Sequence, residues 1–259
     1  MVMKYYVLIL LYMWCPRVGL TEEIVSPLDE AEWMILQDGI QRGDPDAFVA
    51  MGDQWVYGPE DRRDIRKGME LWAKAGLKND PDALCRLAEA METGVGMKSD
   101  PLRAMGLWFR ASEAGSPAAK RRIALDYLSG TNLKKDPLRG IALLRQAADL
   151  GDPEAMYQLA CHLEKGIPIQ RDIPGAVRLY HLAAEAGCAA AQNDLGVLLA
   201  SENNRASRLE AWIWFRRAAD GGDSRAEKNL REMEHSMSFF ERRSAKKLLR
   251  SQEASGRTP

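Results

Sequence analysis

The sequence predicts an all-α protein, a solenoid of stacked 36-residue helix–turn–helix repeats. Three observations carry that prediction. Ala47, Ala83, Ala119, Ala155 and Ala191 lie 36 residues apart, and Ala226 follows 35 further on. Four residues past each anchor stands an aliphatic residue or Met (Met51, Leu87, Ile123, Leu159, Leu195, Leu230), and one later a small residue (Gly52, Ala88, Ala124, Ala160, Gly196). Glycine and aspartate then punctuate the chain at fixed distances, with Gly58, Gly94, Gly130 and Gly166 followed six residues later by Asp64, Asp100, Asp136 and Asp172. A constant period of this length is the signature of a repeat array.

Composition agrees with a folded chain. Of 259 residues, 46% are apolar and 28% charged, which excludes wholesale disorder and a polytopic membrane protein. A formal net charge of −1 supplies no global basic field, so nucleic acid is not an expected partner. Four cysteines, at Cys15, Cys85, Cys161 and Cys188, are too few and too irregular for a disulfide framework.

The elements follow in chain order. Behind Lys4 runs an apolar stretch, Tyr5 to Cys15, which ends at Pro16-Arg17. It is shorter than the roughly 20 residues of a spanning helix. It reads as a secretory signal occupying 1–20, with an exported, periplasmic or secreted, mature chain. The alternative is a segment that packs on the first helix. Residues 21–43 form an N-terminal capping half-repeat, its helix lying in 27–42. Five full repeats occupy 44–222.

In each repeat the first helix starts with a cap and a proline, as in Asp44-Pro45, Asp80-Pro81, Ser116-Pro117 and Asp152-Pro153. Offsets 0, 4 and 8 from the anchor line one helical face, and the small residue at offset 5 lets a second helix approach closely. The glycine at offset 11 stops the helix in a left-handed cap. The second helix opens at the Asp, or at Ser207 in the shortened fifth repeat. It carries Trp72, Trp108, Leu144, Tyr180 and Phe215 in one column and Ala75, Ala111, Ala147, Ala183 and Ala218 in another. Gly43, Asn79, Gly115, Gly151, Gly187 and Gly222 end it. Residues 223–251 read as a degenerate C-terminal capping helix pair, and 252–259 as a disordered tail. No linker divides the array.

The columns resemble the Sel-one-like repeat family, relatives of the tetratricopeptide repeats. The resemblance rests on Leu195-Gly196, on Trp214-Phe215-Arg216-Arg217-Ala218-Ala219-Asp220-Gly221-Gly222, and on Leu179-Tyr180 with Ala183-Ala184-Glu185-Ala186-Gly187. It covers about 27–235. It implies a right-handed α/α superhelical solenoid and a non-catalytic scaffold or adaptor for protein or peptide partners on a concave surface. The paired cysteines that staple each repeat in one branch of the family are missing here.

A search for chemistry finds no catalytic set and no cofactor motif. Ser244 and Lys247 match Ser-x-x-Lys, but its companion motifs are absent. Glycine-rich phosphate loops and His-Glu-x-x-His are absent too. Cys161, His162, His181 and Cys188 are metal-ligand types within one repeat. Adjacent Cys161 and His162 point about 100° apart on a helix, so no metal site is assigned. A cell-envelope hydrolase acting on peptidoglycan or a β-lactam stays as an alternative function, as does a purely structural spacer.

First-helix offsets 3 and 7 point away from the packing offsets and are expected to face the groove. Six residues at these offsets are candidate partner-binding groups: Arg86, Arg122, Asp126, Gln158, His162 and Asp194. Arg86 and Arg122 share one offset in adjacent repeats, and arginine forks suit the carboxylates of an acidic partner. The competing expectation leaves them solvated or pairs them with Glu89 and Asp126. One further stretch, Arg242-Arg243, Lys246-Lys247 and Arg250 beside Phe239 and Phe240, suits either a solenoid cap or a surface for an anionic membrane or acidic partner.

Overall fold

The computed structural model describes residues 28–202 and 204–254. The apolar run Tyr5–Cys15 and the rest of the expected signal lie outside them. Among the described residues are thirteen α-helices and no strand: α1 (Glu30–Arg42), α2 (Pro45–Tyr57), α3 (Ile65–Leu77), α4 (Pro81–Thr93), α5 (Pro101–Glu113), α6 (Pro117–Ser129), α7 (Pro137–Asp149), α8 (Pro153–Lys165), α9 (Ile173–Glu185), α10 (Ala189–Ser201), α11 (Arg205–Asp220), α12 (Ser224–Ser236) and α13 (Phe239–Ala254). A short 3-10 turn, Glu60–Arg62, follows α2. The chain forms two compact units, one ending at Leu143 and one beginning at Leu144, so the boundary falls inside α7.

The start signals work as hydrogen bonds. Asp80 and Asp152 accept the amides of Ala83 and Ala155 at 2.7 Å, and Ser116 accepts that of Ala119 at 3.2 Å. Asp64, Asp100 and Asp136 each accept the amide three residues on at 3.1 Å, Asp172 that of Gly175 at 2.9 Å. Each bond satisfies a free amide of the first turn, and losing one costs about 1 kcal/mol. Asp29 and Glu32 close a reciprocal capping box on α1.

Two details differ from the expectation. Asn204, not Ser207, caps α11: its Oδ1 accepts the Ser207 amide at 2.9 Å, while the Ser207 hydroxyl donates to Glu202. The helix starts early, at Arg205, and runs for 16 residues, which puts its cap three positions upstream. Gly58 is not left-handed, with φ −68°. Its lack of a side chain serves space instead, because a Cβ there would lie 2.2 Å from the Gln54 carbonyl oxygen. Elsewhere the stop signals are left-handed, and Asn79 with φ 58° is the one non-glycine in that region among the described residues.

In the first unit, α2 packs with α3 and α4 with α5, each pair against the next. The anchors Ala47, Ala83 and Ala119 are fully buried, and so are Trp72 and Trp108 of the second helices. Leu84, Ala88, Ala104, Met105, Ala111 and Ile123 complete the core around Trp108. The end of α3 is tied to α5 by Arg110, which donates to the Gly76 carbonyl at 3.0 Å and to Asn79 Oδ1 at 2.8 Å.

In the second unit, α8 packs with α9 and α10 with α11. Trp214 lies against Ala183, Ala184, Ala191 and Leu195, and Trp212 and Phe215 against Leu230, Met237 and Ala245. Thus α12 and α13 cover the last repeat. Helix α13 runs through Ala254, past residue 252 where the tail was placed, and Arg217 donates to Gln252 Oε1 at 3.1 Å. Residues 255–259 lie outside the described ones.

Close approach at the small-residue column sets the helix spacing. A Cβ on Gly52 would sit 2.5 Å from the Trp72 ring. We expect Gly52→Ala to destabilise the protein by about 1–3 kcal/mol, since a rigid buried ring cannot retreat. Gly106, exposed on α5, has nothing within 4 Å of its Cβ position; Gly106→Ala should stabilise by about 0.5–1 kcal/mol. Urea midpoints of the two variants, measured side by side, check both signs.

Candidate functional site

The first-helix face of the first unit carries a set of half-buried charges. Arg86, on α4, reaches back to α2 and grips Asp53 with two bonds, Nε to Oδ1 at 3.1 Å and Nη2 to Oδ2 at 3.2 Å. Asp53 is buried, and its Oδ1 also accepts the indole N–H of Trp72 at 3.1 Å. Arg86 Nη1 lies 3.9 Å from Glu89. One repeat on, Arg122 of α6 binds Glu92 of α4 and stands 3.9 Å from Asp126. Asp126 is buried and accepts from Asn132 Nδ2 at 3.0 Å.

Burial governs the protonation of these acids. It pushes the carboxyl of Asp53 up, against the guanidinium of Arg86 and the indole of Trp72, which favour the anion. Burial pushes Glu89 up to about 7; Arg86 opposes this, while Asp53 and Glu92 add to it. Asp126 is raised by burial as well, against Arg122. Some polar atoms stay without a hydrogen bond, namely Trp108 Nε1, Arg122 Nε and Asp126 Oδ2. In the same unit, Trp33 and Trp55 meet edge to face at 5.6 Å. With Ile40, Met51, Lys67 and Leu71 they line a cleft of about 480 Å³.

In the second unit, Asp194 of α10 accepts from Tyr157 of α8 at 2.9 Å and from Asn193 at 2.9 Å, and Arg225 of α12 approaches at 3.4 Å. Arg225 is held in turn by Asp223 at 2.9 Å. Gln158 is half-buried, its Oε1 without a hydrogen bond. His162 Nδ1 meets the Ile167 carbonyl at 2.7 Å, across the loop that ends α8.

The six sequence-derived candidates therefore fall into separate groups. Arg86 stands with Asp53 and Glu89, Arg122 and Asp126 with Glu92 and Asn132, and Asp194 with Tyr157 and Arg225. Both arginines have carboxylate partners within the chain. The partners anticipated from sequence, Glu89 and Asp126, are the distant ones at 3.9 Å. Asp53 and Glu92 make the direct bonds, and sequence reasoning missed them. The signal was present, an acid at offset 6 or 9 followed by arginine at offset 3 of the next repeat. It stops after Arg122, because offset 3 reads Gln158 and Asp194 in the next two repeats.

Burial pushes the thiols of Cys85 and Cys188 up to about 12, so neither is a thiolate near neutral pH. The Tyr180 hydroxyl donates to Glu164 at 2.7 Å and stands 3.4 Å from Cys161 Sγ. Among the described residues no three His, Cys, Asp or Glu side chains converge as metal ligands. None of the described helices is long and apolar enough to cross a membrane.

Two outcomes follow for the charge set. Arg86→Met leaves Asp53 buried with only an indole donor, and should destabilise by about 3 kcal/mol. Glu89 binds its proton more tightly folded, near 7, than unfolded, near 4.5. Its contribution to stability is thus present below about pH 4.5 and is lost as pH rises through 7. Glu89→Gln should remove this loss, so the variant gains stability relative to the parent between about pH 5 and 8. Urea titrations across that range test both.

Comparison with known proteins adds the lineage. A family model described as Sel1 repeat matches residues 50–80, 81–116, 117–152, 153–188 and 189–223. No curated protein matches the chain. Among solved structures, a Sel1 repeat protein from Oxalobacter formigenes superposes with TM-score 0.68 at 23% identity, over 84% of this chain and 93% of that one. The protective antigen c5321 of uropathogenic Escherichia coli, described as displaying an SLR fold, gives 0.59 at 23% identity over 88% of this chain, which spans 50% of the antigen. The immunity protein Pa5087 of Pseudomonas aeruginosa gives 0.54 at 17% identity, over 79% of this chain and 88% of that one. At these identities the structures share the fold alone. The five consecutive matches, covering most of the chain in register with its helix pairs, make this protein a member of the Sel1 repeat family.

Proposed function

We propose that the chain is a non-catalytic scaffold that binds a protein or peptide partner on the first-helix face of its repeats. Sel1 repeat proteins are generally protein-interaction scaffolds and typically non-catalytic. The observation that carries the reading here is the charge set of the first unit. Asp53, Arg86, Glu92 and Arg122 are locked by bonds between neighbouring first helices, so their outer edges are presented in fixed positions. A preorganised surface loses little entropy on binding.

The partner's character follows from the pairing. Both guanidiniums already hold carboxylates, and Glu89 and Glu92 remain about one-fifth exposed. A partner segment bearing a basic side chain therefore fits this face better than the acidic one that Arg86 and Arg122 alone suggest. No observation favours the hydrolase or spacer alternatives.

The test is site-specific photo-crosslinking in the native host. A photoreactive residue at Glu89 or Glu92 should capture a defined partner, and one at Leu102, exposed on α5, should not. Equal capture from both sites, or turnover of peptidoglycan or a β-lactam by the purified protein, would discard the reading. We also propose that the stretch Tyr5–Cys15 directs export. N-terminal sequencing of mature protein should then start between Pro16 and Glu23; cytosolic protein with residues 1–20 intact would refute export.

A further inference from the structure

The C-terminal helix has two sides with different chemistry. Ala245 is fully buried and Leu249 partly so, both packed against the cluster of Trp212, Ile213, Phe215, Leu230 and Met237. That side closes the last repeat and completes the capping role. The opposite side has no such duty. At 100° per residue, Phe240, Arg243, Lys247 and Arg250 lie away from Ala245 and Leu249, with Phe239 and Lys246 on the flank. All six are exposed.

The exposure of the two rings is large, 67% for Phe239 and 72% for Phe240. They meet edge to face at 5.8 Å, so each shields only a rim of the other. Covering the last repeat requires nothing of them. The four cations around them are not ion-paired among the described residues. The acid of the first turn, Glu241, is turned away into the helix cap, where it accepts the Ser238 amide and hydroxyl, both at 2.8 Å.

We propose that this outward side of α13 docks on an anionic membrane surface, with Phe239 and Phe240 seated among the headgroups. The cations name the sign of the occupant. The rings name its depth: two adjacent, freely projecting aromatic side chains need an apolar layer directly beneath a layer of negative charge. A bilayer interface presents both layers without a matched pocket. A rigid acidic protein needs a cavity shaped for the ring pair. Because the helix spends its other apolar side on the repeat core, the contact is shallow, reversible and salt-sensitive. Each cation near an anionic bilayer strengthens binding about five-fold, the equivalent of about 1 kcal/mol.

The experiment is co-sedimentation of the full chain with vesicles of phosphatidylcholine, alone or mixed with phosphatidylglycerol. We expect binding to the mixed vesicles only, weakening as salt rises. Arg243→Ser with Lys247→Ser should lower that binding at least ten-fold, and Lys246→Ser with Arg250→Ser should act alike. Phe239→Ser with Phe240→Ser should lower it several-fold at unchanged net charge. Each variant keeps Ala245 and Leu249, and an unchanged thermal midpoint shows that the cap is intact. Absence of binding to the anionic vesicles overturns the proposal. So does binding that is indifferent to both phenylalanines and abolished by soluble polyglutamate, the outcome expected of a surface for an acidic protein.

Discussion

Everything in this protein rests on how closely two helices of a repeat can approach. The contact is made where Gly52 faces the Trp72 ring and Gly196 faces the Phe215 ring, with no room for a Cβ in either place. A large ring on one helix fills the gap that a missing side chain leaves on the other. One helix pair buries its apolar stripe only partly, so each pair depends on its neighbour to finish the job. The full burial of every anchor alanine from Ala47 to Ala226 shows that dependence satisfied at each repeat.

Close packing has a polar consequence in the first unit. Trp72 brings an indole N–H into the interior, and such a group needs an acceptor. Asp53 supplies it, which places a carboxylate in a dry site. Arg86 of the next repeat then compensates the charge with a two-bond fork. Thus an aromatic residue chosen for packing leads to an ion pair that joins successive repeats. Trp108, one repeat later, has no such acceptor, since Glu89 stands in the corresponding position and lies close to Arg86 instead. The pairing pattern varies from repeat to repeat while the packing does not.

The last elements show the same division between packing and surface. Helices α12 and α13 cover α11 through Ala226, Leu230, Ala245 and Leu249. Their remaining positions are free of the repeat's constraints, and α13 uses that freedom for a ring pair and a row of cations. Polar caps are what a solenoid needs at its ends; exposed phenylalanines are not.

Helix number, period, caps and core columns were determined by the sequence alone. These features are local or strictly periodic, so Asp80-Pro81, Ala83, Leu87 and Gly94 announce a helix whatever surrounds it. Even here, irregular spacing misled, as when Asn204 rather than Ser207 took the cap of α11. The candidate site was legible in half. Offset 3 was expected to turn Arg86, Arg122 and Asp194 toward a groove, and in the structure each bonds to a first helix of a neighbouring repeat. Their partners were decided only by the tertiary structure. Arg86 lies 33 positions from Asp53, Arg122 lies 30 from Glu92, and Arg225 lies 31 from Asp194. Such pairs depend on side-chain reach and burial between stacked helices, and no repeat column encodes them. Packing repeats because geometry forces every unit to solve the same problem, whereas charge pairing is settled once at each junction by whichever residues stand there.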